Sequence, residues 1–466
     1  MKKIANVLVA ASLVASMALM SCGKSEGGNS GSAKVKRSKD AVYKGYSAEI
    51  DPETRKVYDF GGMEVTVYDW WSNPDAPAGS KQEEDSRAFR AWMEKTYNYK
   101  VVQKDLAGWT NHPTEVANYC ITANPNDYAV FLVDHRSALS GLSQGLWADL
   151  SKTGVDWTKE KWDQGIVNKL RNGDSFYTFG YGKPEPRVGV FFNKRILQEN
   201  GIDPDSIYDM QKNGTWTWAA FEELCEKVQK DTDNDGIIDQ YAMASKNDVF
   251  GPAALMSNDA AIISYIDGKF VNTTNSDKAL EAWNFTLNMW NKYQRPQGEG
   301  DWDYFYGCFQ NGEVAFMVEE QYNAQPNGRL ASMKDDFGFV CFPLGPKGDG
   351  KYRTLNSSNM WVIPSHYDEA TLKKIGKILD FYTEPTPEYD DPDAWKEGYY
   401  ASFRDERAVD ETLQYMMDNA KETVQFMIPD LNVAEMSWNV CANQDPIAVY
   451  EQFKDSWQSR LDAVNN

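Results

Sequence analysis

A continuous apolar segment, Tyr128–Val133, most constrains the fold of this chain. Such a run suits a parallel strand that is buried on both faces. Alternating apolar and polar residues predict two earlier strands at 64–70 and 100–104. Amphipathic helices are predicted between the strands, at 83–97 and from Pro113 to about residue 123. This strand–helix–strand–helix–strand order predicts an open α/β sheet with helices on its faces.

The carboxyl ends of these strands carry aromatic and charged residues. Open α/β sheets bind ligands outside this edge. Trp70 and Trp71 follow the first strand, Trp109 the second, and Asp134 and Arg136 the third. Indole rings stack on apolar ligand faces, and carboxylate or guanidinium groups bond to neighbouring hydroxyls. We predict a ligand site here, although adjacent tryptophans point opposite ways and Asp134 with Arg136 also fits a helix cap or surface pair.

The composition describes a large, acidic, aromatic-rich globular protein. The 466 residues allow two or three domains, and the net charge is -21. This charge argues against nucleic acid or anionic membrane surfaces as partners. Aromatic residues make up 13% of the chain and supply flat apolar faces for stacking as well as core.

The N-terminus predicts export and a lipid anchor. Lys2 and Lys3 precede a short apolar run, so residues 1–22 are typical of a cleaved signal peptide. The run ends in Leu-Met-Ser-Cys, which resembles a bacterial lipobox with Cys22 as the lipidated residue; ordinary cleavage near Ser21 is the alternative. Residues 23–58 are rich in Gly, Ser and Lys and predict a flexible tether.

The segment 187–245 carries the most specific motifs. It contains Phe-Phe-Asn-Lys at 191–194, Asn-Gly-Ile-Asp-Pro at 200–204, Thr-Trp-x-x-Phe at 217–221 and an acidic turn at 231–241. Together they resemble bacterial extracellular solute-binding proteins of ABC importers, in the carbohydrate-binding, maltose-binding-protein-like group. The resemblance implies an α/β, two-lobed periplasmic-binding-protein-like fold of type II, with a ligand cleft between the lobes.

The resemblance also implies lobe boundaries and further site residues. Lobe 1 is expected at 59–187 plus 353–385, and lobe 2 at 188–352 plus 386–466. The family's cleft loops correspond to segments of this chain that contain five candidate ligand contacts. These are Asn258, Trp302, Tyr322, Asn359 and Trp361.

The acidic turn matches part of a calcium-binding loop. Asp231, Asp233, Asp235 and Asp239 occupy ligand positions of an EF-hand-type loop, but Ala242 stands where a bidentate Glu is needed. We therefore predict no metal and no other cofactor, with bound calcium as the alternative.

Five cysteines remain besides Cys22, and no pair of them has metal-ligand spacing. Cys225 lies on an apolar helical stripe and is predicted to be a buried thiol. A bridge between Cys308 and Cys341 stays open for an exported protein.

The expected function is capture of a mono- or oligosaccharide by a monomeric, membrane-anchored receptor that delivers it to an ABC permease. One alternative is the same fold with a peptide, polyamine or sugar acid as ligand. Asp69, Asp105, Asp134, Glu319 and Glu320 would favour a cation; Arg136 and Arg187 would favour an anion.

A surface polysaccharide-degrading enzyme is the second alternative. Glu319 and Glu320 offer paired carboxylates, but adjacent residues do not flank a bond from both sides. Gly141-x-Ser143-x-Gly145 matches a nucleophile elbow, yet it falls in helix-like sequence, so we expect no enzyme.

Overall fold

The computed structural model describes residues 41–465 except 123, 125, 184, 299–300, 326–327, 356–358, 390, 392, 422 and 429, and without the side chains of 136, 401 and 426. The predicted signal peptide with Cys22, and residues 23–40 of the predicted tether, lie outside this part. Within it, no helix combines the length and the apolar character that a membrane span requires.

Thirteen strands lie in the described part of the chain. They are β1 Val42–Tyr43, β2 Tyr46–Ser47, β3 Met63–Asp69, β4 Tyr99–Asp105, β5 Tyr128–Val133, β6 Arg171–Asn172, β7 Ser175–Phe176, β8 Val188–Asn193, β9 Ile263–Ile266, β10 Lys269–Asn272, β11 Phe316–Glu320, β12 Phe337–Cys341 and β13 Met360–Val362.

Fifteen α-helices accompany the strands in the same part of the chain. They are α1 Lys81–Tyr97, α2 His112–Thr122, α3 His135–Ser143, α4 Gln164–Val167, α5 Lys194–Glu199, α6 Asp205–Lys212, α7 Trp218–Val228, α8 Asn247–Ser257, α9 Asp277–Tyr293, α10 Tyr304–Gln310, α11 Glu369–Tyr382, α12 Glu397–Phe403, α13 Gln414–Asn419, α14 Ala434–Cys441 and α15 Pro446–Asn465.

The first lobe is built on a four-stranded sheet in the order β13-β5-β3-β4. β3 is parallel to both β4 and β5, and all six residues of β5 lie where the apolar run predicted them. β13 is antiparallel to β5, with Met360 opposite Val133. Because of this register, β13 begins at the sheet edge where β5 ends.

The second lobe is built on an antiparallel sheet in the order β11-β8-β12. Val188 at the start of β8 lies opposite Glu320, and Gly189 lies opposite Cys341. β8 therefore begins at the edge where β11 and β12 end. α7 packs on this core through its predicted apolar stripe, and the Thr217 side chain caps the helix by accepting from the Ala220 N–H.

Two crossing segments join the lobes side by side. The Arg187 N–H donates to the Leu355 carbonyl, and the Val188 N–H donates to the Thr354 hydroxyl. One segment runs from Tyr181, which pairs with Trp162 of the first lobe, to β8 of the second. A third connection follows α11, where Glu384 pairs with Lys161. The residue numbers expected for the lobe boundaries stay predictions.

The expectation of a flexible tether up to residue 58 is wrong for residues 41–58. β1 and β2 form a hairpin whose Tyr43 and Tyr46 rings pack on Phe89 and Trp92 of α1. The Glu49 N–H donates to the Tyr97 hydroxyl, which fixes the following turn on the same helix. These apolar contacts hold the segment on the first lobe, despite its polar composition.

Candidate functional site

Two sheet edges meet at the crossing segments. In the first lobe this edge holds the ends of β3 and β5 and the start of β13; in the second it holds the end of β11 and the start of β8. Both crossing segments enter their sheets at these edges, so the edges border the same space between the lobes. The predicted site residues of β3, β5 and β11 therefore lie on opposite sides of one cleft.

Asp69 shapes the turn that follows β3. It is fully buried and accepts hydrogen bonds from the Trp71 and Ser72 backbone N–H groups, the Ser72 hydroxyl and the Gln103 amide. These four donors occupy its carboxylate. The turn leaves Trp71 52% exposed, while Trp70 is half-buried with its ring 4.7 Å from that of Trp71.

The turn before α2 carries a second exposed indole, Trp109, which is 53% exposed. His112 follows three residues later and is buried, with its ring 5.1 Å from the Trp70 ring in an edge-to-face arrangement. Burial lowers the pKa of His112 below its ordinary value. Sequence reasoning missed this histidine, although its position after the second strand was the available signal.

Asp134 is buried and caps α3, because its carboxylate accepts the Ser137 N–H at 3.0 Å. Asp134 is therefore a helix cap, which was one of the two alternatives to a ligand contact, and it lies at the edge where β5 ends. The side chain of Arg136 lies outside the described residues, and its predicted ligand contact stays a prediction.

On the second lobe, Glu319 is enclosed at the end of β11. Its Oε1 accepts the Glu320 N–H at 2.9 Å, and its Oε2 accepts the Tyr306 hydroxyl at 3.2 Å. Burial, with the neighbouring charge of Glu320, raises the pKa of Glu319 to about 8. Lys246 is the nearby cation that opposes this rise.

Tyr322 lies beside an ion pair at the entry to β8. The Arg187 guanidinium is 5.4 Å from the centre of the Tyr322 ring and 3.3 Å from the Glu185 carboxylate. The Gln321 amide donates to the same Glu185 carboxylate at 2.8 Å. Arg187 is therefore compensated by a protein carboxylate at the cleft edge.

Trp302 is the exposed indole of the second lobe. It is 65% exposed, and the Lys246 ammonium lies 5.8 Å from the centre of its ring. Lys246 also interacts electrostatically with Glu319 and Glu320, so Trp302 lies in the same region as these two carboxylates.

Two predicted ligand contacts are buried among other side chains, and a third lies beside the first-lobe sheet edge. Asn258 is fully buried; its amide donates to the Lys278 carbonyl and the Glu281 carboxylate and accepts the Lys347 N–H, so it ties α8 to its neighbours. Trp361 is buried in the first-lobe core, and all three residues of β13 are buried with it. Asn359 is half-buried immediately before β13, and its ligand contact stays a prediction.

The rings around Trp361 belong to Phe179, Tyr181 and Tyr382.

The acidic turn is a weak fit to calcium. Oxygens of Asp231, Asp233 and Asp239 lie within 4.8 Å of one another, and Asp235 is not part of this group. Ala242 is fully buried and supplies no side-chain oxygen, so the donor set lacks a bidentate carboxylate. The expected absence of a metal stays a prediction.

The described cysteines are all free thiols, so the bridge between Cys308 and Cys341 is not formed. Cys225 is buried, as its helical stripe predicted. Ser143 is the last residue of α3, and its hydroxyl donates to the Ser140 carbonyl. It therefore does not stand on the strand-to-helix turn that a nucleophile elbow requires.

Comparisons with known proteins agree with this architecture. The GacH receptor of Streptomyces glaucescens, solved unliganded and with acarbose, is 15% identical, with a TM-score of 0.59 over 86% of this chain and 99% of that chain. Lmo0181 of Listeria monocytogenes, an ABC substrate-binding protein solved with cycloalternan, is 17% identical, with a TM-score of 0.59 over 85% and 98%.

UgpB of Mycobacterium tuberculosis, solved with glycerophosphocholine, is 17% identical, with a TM-score of 0.60 over 86% of this chain and 99% of that chain. A comparison with curated proteins finds no match. The family model for bacterial extracellular solute-binding proteins matches residues 88–389, which is more than half of the chain. The two-lobed α/β fold is that of type II periplasmic binding proteins, and the chain belongs to the bacterial extracellular solute-binding family.

Proposed function

We propose that this protein captures a neutral carbohydrate between its two sheet edges and delivers it to an ABC permease. Three exposed indole rings support this proposal: Trp71 and Trp109 on the first lobe and Trp302 on the second. Exposed aromatic faces at a cleft offer apolar contact to the C–H faces of sugar rings, while polar groups beside them bond to hydroxyls.

The compensation of the cleft charges is the observation that carries the choice of a neutral ligand. Asp69 is occupied by four donors, and Arg187 is paired with Glu185. Glu319 is enclosed by Tyr306 and its own neighbour, and its raised pKa keeps much of it protonated at pH 7. A charged ligand would therefore find few unpaired opposite charges, which disfavours a polyamine or a sugar acid.

Relatives of the same fold support the class of ligand. The GacH receptor was solved with acarbose and Lmo0181 with cycloalternan, which are both carbohydrates. UgpB was solved with glycerophosphocholine, so the fold also accepts a charged, non-sugar solute. The paired charges of this cleft favour the first kind of ligand.

Binding would work by closure of the lobes about the crossing segments. Closure desolvates the sugar between Trp71 and Trp302 and creates the form that the permease recognises. In this proposal the protein is an exported monomer attached through a lipid on Cys22. We propose no catalytic role, since Glu319 and Glu320 are neighbours at the end of one strand, and adjacent carboxylates do not flank a bond from both sides.

A thermal-shift screen tests the proposed ligand class. The panel contains maltotriose, mannotriose, glucose, glucuronate, spermidine, glycerophosphocholine and a tripeptide. We expect a rise in melting temperature with at least one neutral sugar and a smaller rise with the charged compounds. A large shift with spermidine or glycerophosphocholine, and none with any neutral sugar, would contradict the proposal.

A further inference from the structure

A buried imidazole lies unpaired at the first-lobe edge. His112 opens α2 and is 2% exposed, and its Nε2 atom has no hydrogen-bond partner among the described residues. A buried polar atom without a partner destabilises the folded state, because it has lost its hydrogen bonds to water. At the border of a ligand cleft, such an atom is a hydrogen-bonding group that a ligand can satisfy; because Nε2 is covered in this structure, the ligand reaches it only when the lobes open.

An aromatic ring and two carboxylates surround His112. The Trp70 ring lies 5.1 Å away in an edge-to-face contact. The carboxylates of Asp69 and Asp134 act electrostatically on the imidazole, but neither is paired with its Nε2. The His112 N–H donates to the Gly108 carbonyl and closes the turn before α2. Trp109 lies in this turn.

The chemistry of this group selects a hydroxyl. Burial lowers the pKa of His112, so the ring is neutral at pH 7. A neutral imidazole has one N–H donor and one acceptor nitrogen, and a hydroxyl can pair with either. The nearby negative charges of Asp69 and Asp134 disfavour an anionic ligand group at the same place.

We propose that His112 is a ligand-binding residue whose Nε2 pairs with one hydroxyl group of the bound sugar, at the edge that carries Trp70, Trp71 and Trp109. This inference rests on the proposed function, because it takes the ligand to be a carbohydrate. It adds a residue buried at the base of the site to the exposed indoles.

His366 provides a matched control. Both of its ring nitrogens are also buried without a partner, but it lies near Asp127, at the opposite edge of the same sheet, where β5 begins. An unpaired imidazole away from the cleft should not respond to ligand. The two residues thus separate a ligand contact from a general property of buried histidines.

Nitrogen-15 NMR of histidine-labelled protein tests the inference directly. The chain has three histidines, and loss of a signal in His112→Gln assigns the relevant resonance. Maltotriose, mannotriose and glucose are added to the wild type, and binding is followed separately by calorimetry. We expect the sugar that binds to shift the His112 Nε2 signal and to leave that of His366 unchanged.

Variants give an independent readout of affinity. His112→Phe keeps the ring packing on Trp70 but removes Nε2, and we expect it to weaken sugar binding about tenfold, as for one lost hydrogen bond. His112→Gln keeps a hydrogen-bonding group and should lose less than His112→Phe, while His366→Phe should match the wild type. Melting temperatures of the variants show whether each one folds.

The possible results are distinguishable. A sugar that binds without moving the His112 signal, or His112→Phe with unchanged affinity, overturns the role of His112 and leaves the proposed function intact. Failure of every sugar to bind overturns the proposed function, and the role of His112 with it.

Discussion

At the residue scale, buried charges in this protein are held by specific partners. Asp380 shows this most clearly: its side chain is 3% exposed and pairs with Lys159, Lys161 and Lys377. Burial alone would raise the pKa of Asp380. The attraction of Lys161 and Lys377 outweighs this effect and lowers the pKa to about 2. The carboxylate therefore stays ionised and joins α11 to the segment before α4.

Asp380→Asn should destabilise the protein by about 3 kcal/mol, because it leaves three lysines facing a neutral amide. The free energy of unfolding in urea at pH 7 measures this loss. Because the folded pKa is lowered, the contribution is present above pH 4 and disappears as the pH falls from about 3.8 to 2. Glu369→Gln, in an exposed pair with Lys373, is the control, and equal stability of both variants would contradict the prediction.

Glu319 should give the opposite dependence on pH. Its folded pKa of about 8 lies above the ordinary value of 4.5, so the folded state binds more protons than the unfolded state between these values. Stability should therefore fall as the pH rises from 4.5 to 8, by up to about 1.4 kcal/mol per pH unit from this group.

Glu319→Gln removes the titrating group and should flatten that part of the stability profile, measured by urea unfolding at pH 5, 6.5 and 8. Glu223→Gln, at an exposed site on α7, should keep the wild-type slope. A profile that Glu319→Gln leaves unchanged would show that this carboxyl titrates normally.

At the element scale, the N-terminal hairpin adds to the first lobe. It covers Phe89, which is 1% exposed, and extends to the third connection through the Lys44–Glu388 pair. The lysine and the glutamate lie 344 positions apart in the chain, so this contact brings the start of the domain to the connection that follows α11.

A chain that begins at Gly61 should be less stable than one that begins at Ala41, because Phe89 and Trp92 lose their cover. Burial of one large side chain contributes about 1.5–3 kcal/mol, so we expect a loss of at least about 2 kcal/mol in urea unfolding. Tyr46→Ala in the full chain should also destabilise, whereas Tyr265→Ala, on an exposed hairpin of the second lobe, should not. Equal stability of the two chain lengths would mean that the hairpin does not belong to the folded lobe.

Elements with strong periodicity could be predicted from the sequence, and packing-dependent features could not. The uninterrupted apolar run of β5 and the capped stripe of α7 determine their own structure. The hairpin escaped prediction because its strands have two residues each and owe their structure to α1.

For the candidate site too, positions at strand ends could be predicted from the sequence, and the burial of individual side chains could not. Positions after parallel strands correctly placed Trp71 and Trp109 at an exposed edge. Asn258 and Trp361 are buried, because side-chain direction depends on neighbours that no local pattern reveals, and their ligand contacts stay predictions. The position of His112 after the second strand was a usable signal, but its burial against Trp70 depends on packing and could not be predicted.

At the scale of the whole molecule, the proposed ligand capture depends on two sheet edges that act together. Trp71 and Trp302 belong to different lobes, and both are exposed beside polar groups at the cleft edges. A ligand held by both lobes should lose affinity when either indole is removed. A ligand held by one lobe alone should be insensitive to the other indole.

Calorimetric titration of the sugar identified in the thermal-shift screen tests this claim most directly. Trp71→Ala and Trp302→Ala are compared with Trp438→Ala, which removes an indole that is 46% exposed on α14, an element of neither sheet edge. We predict that each cleft variant weakens binding at least fivefold, about 1 kcal/mol, and that Trp438→Ala binds like the wild type. Unchanged affinity in both cleft variants would contradict binding of a carbohydrate between the two lobes.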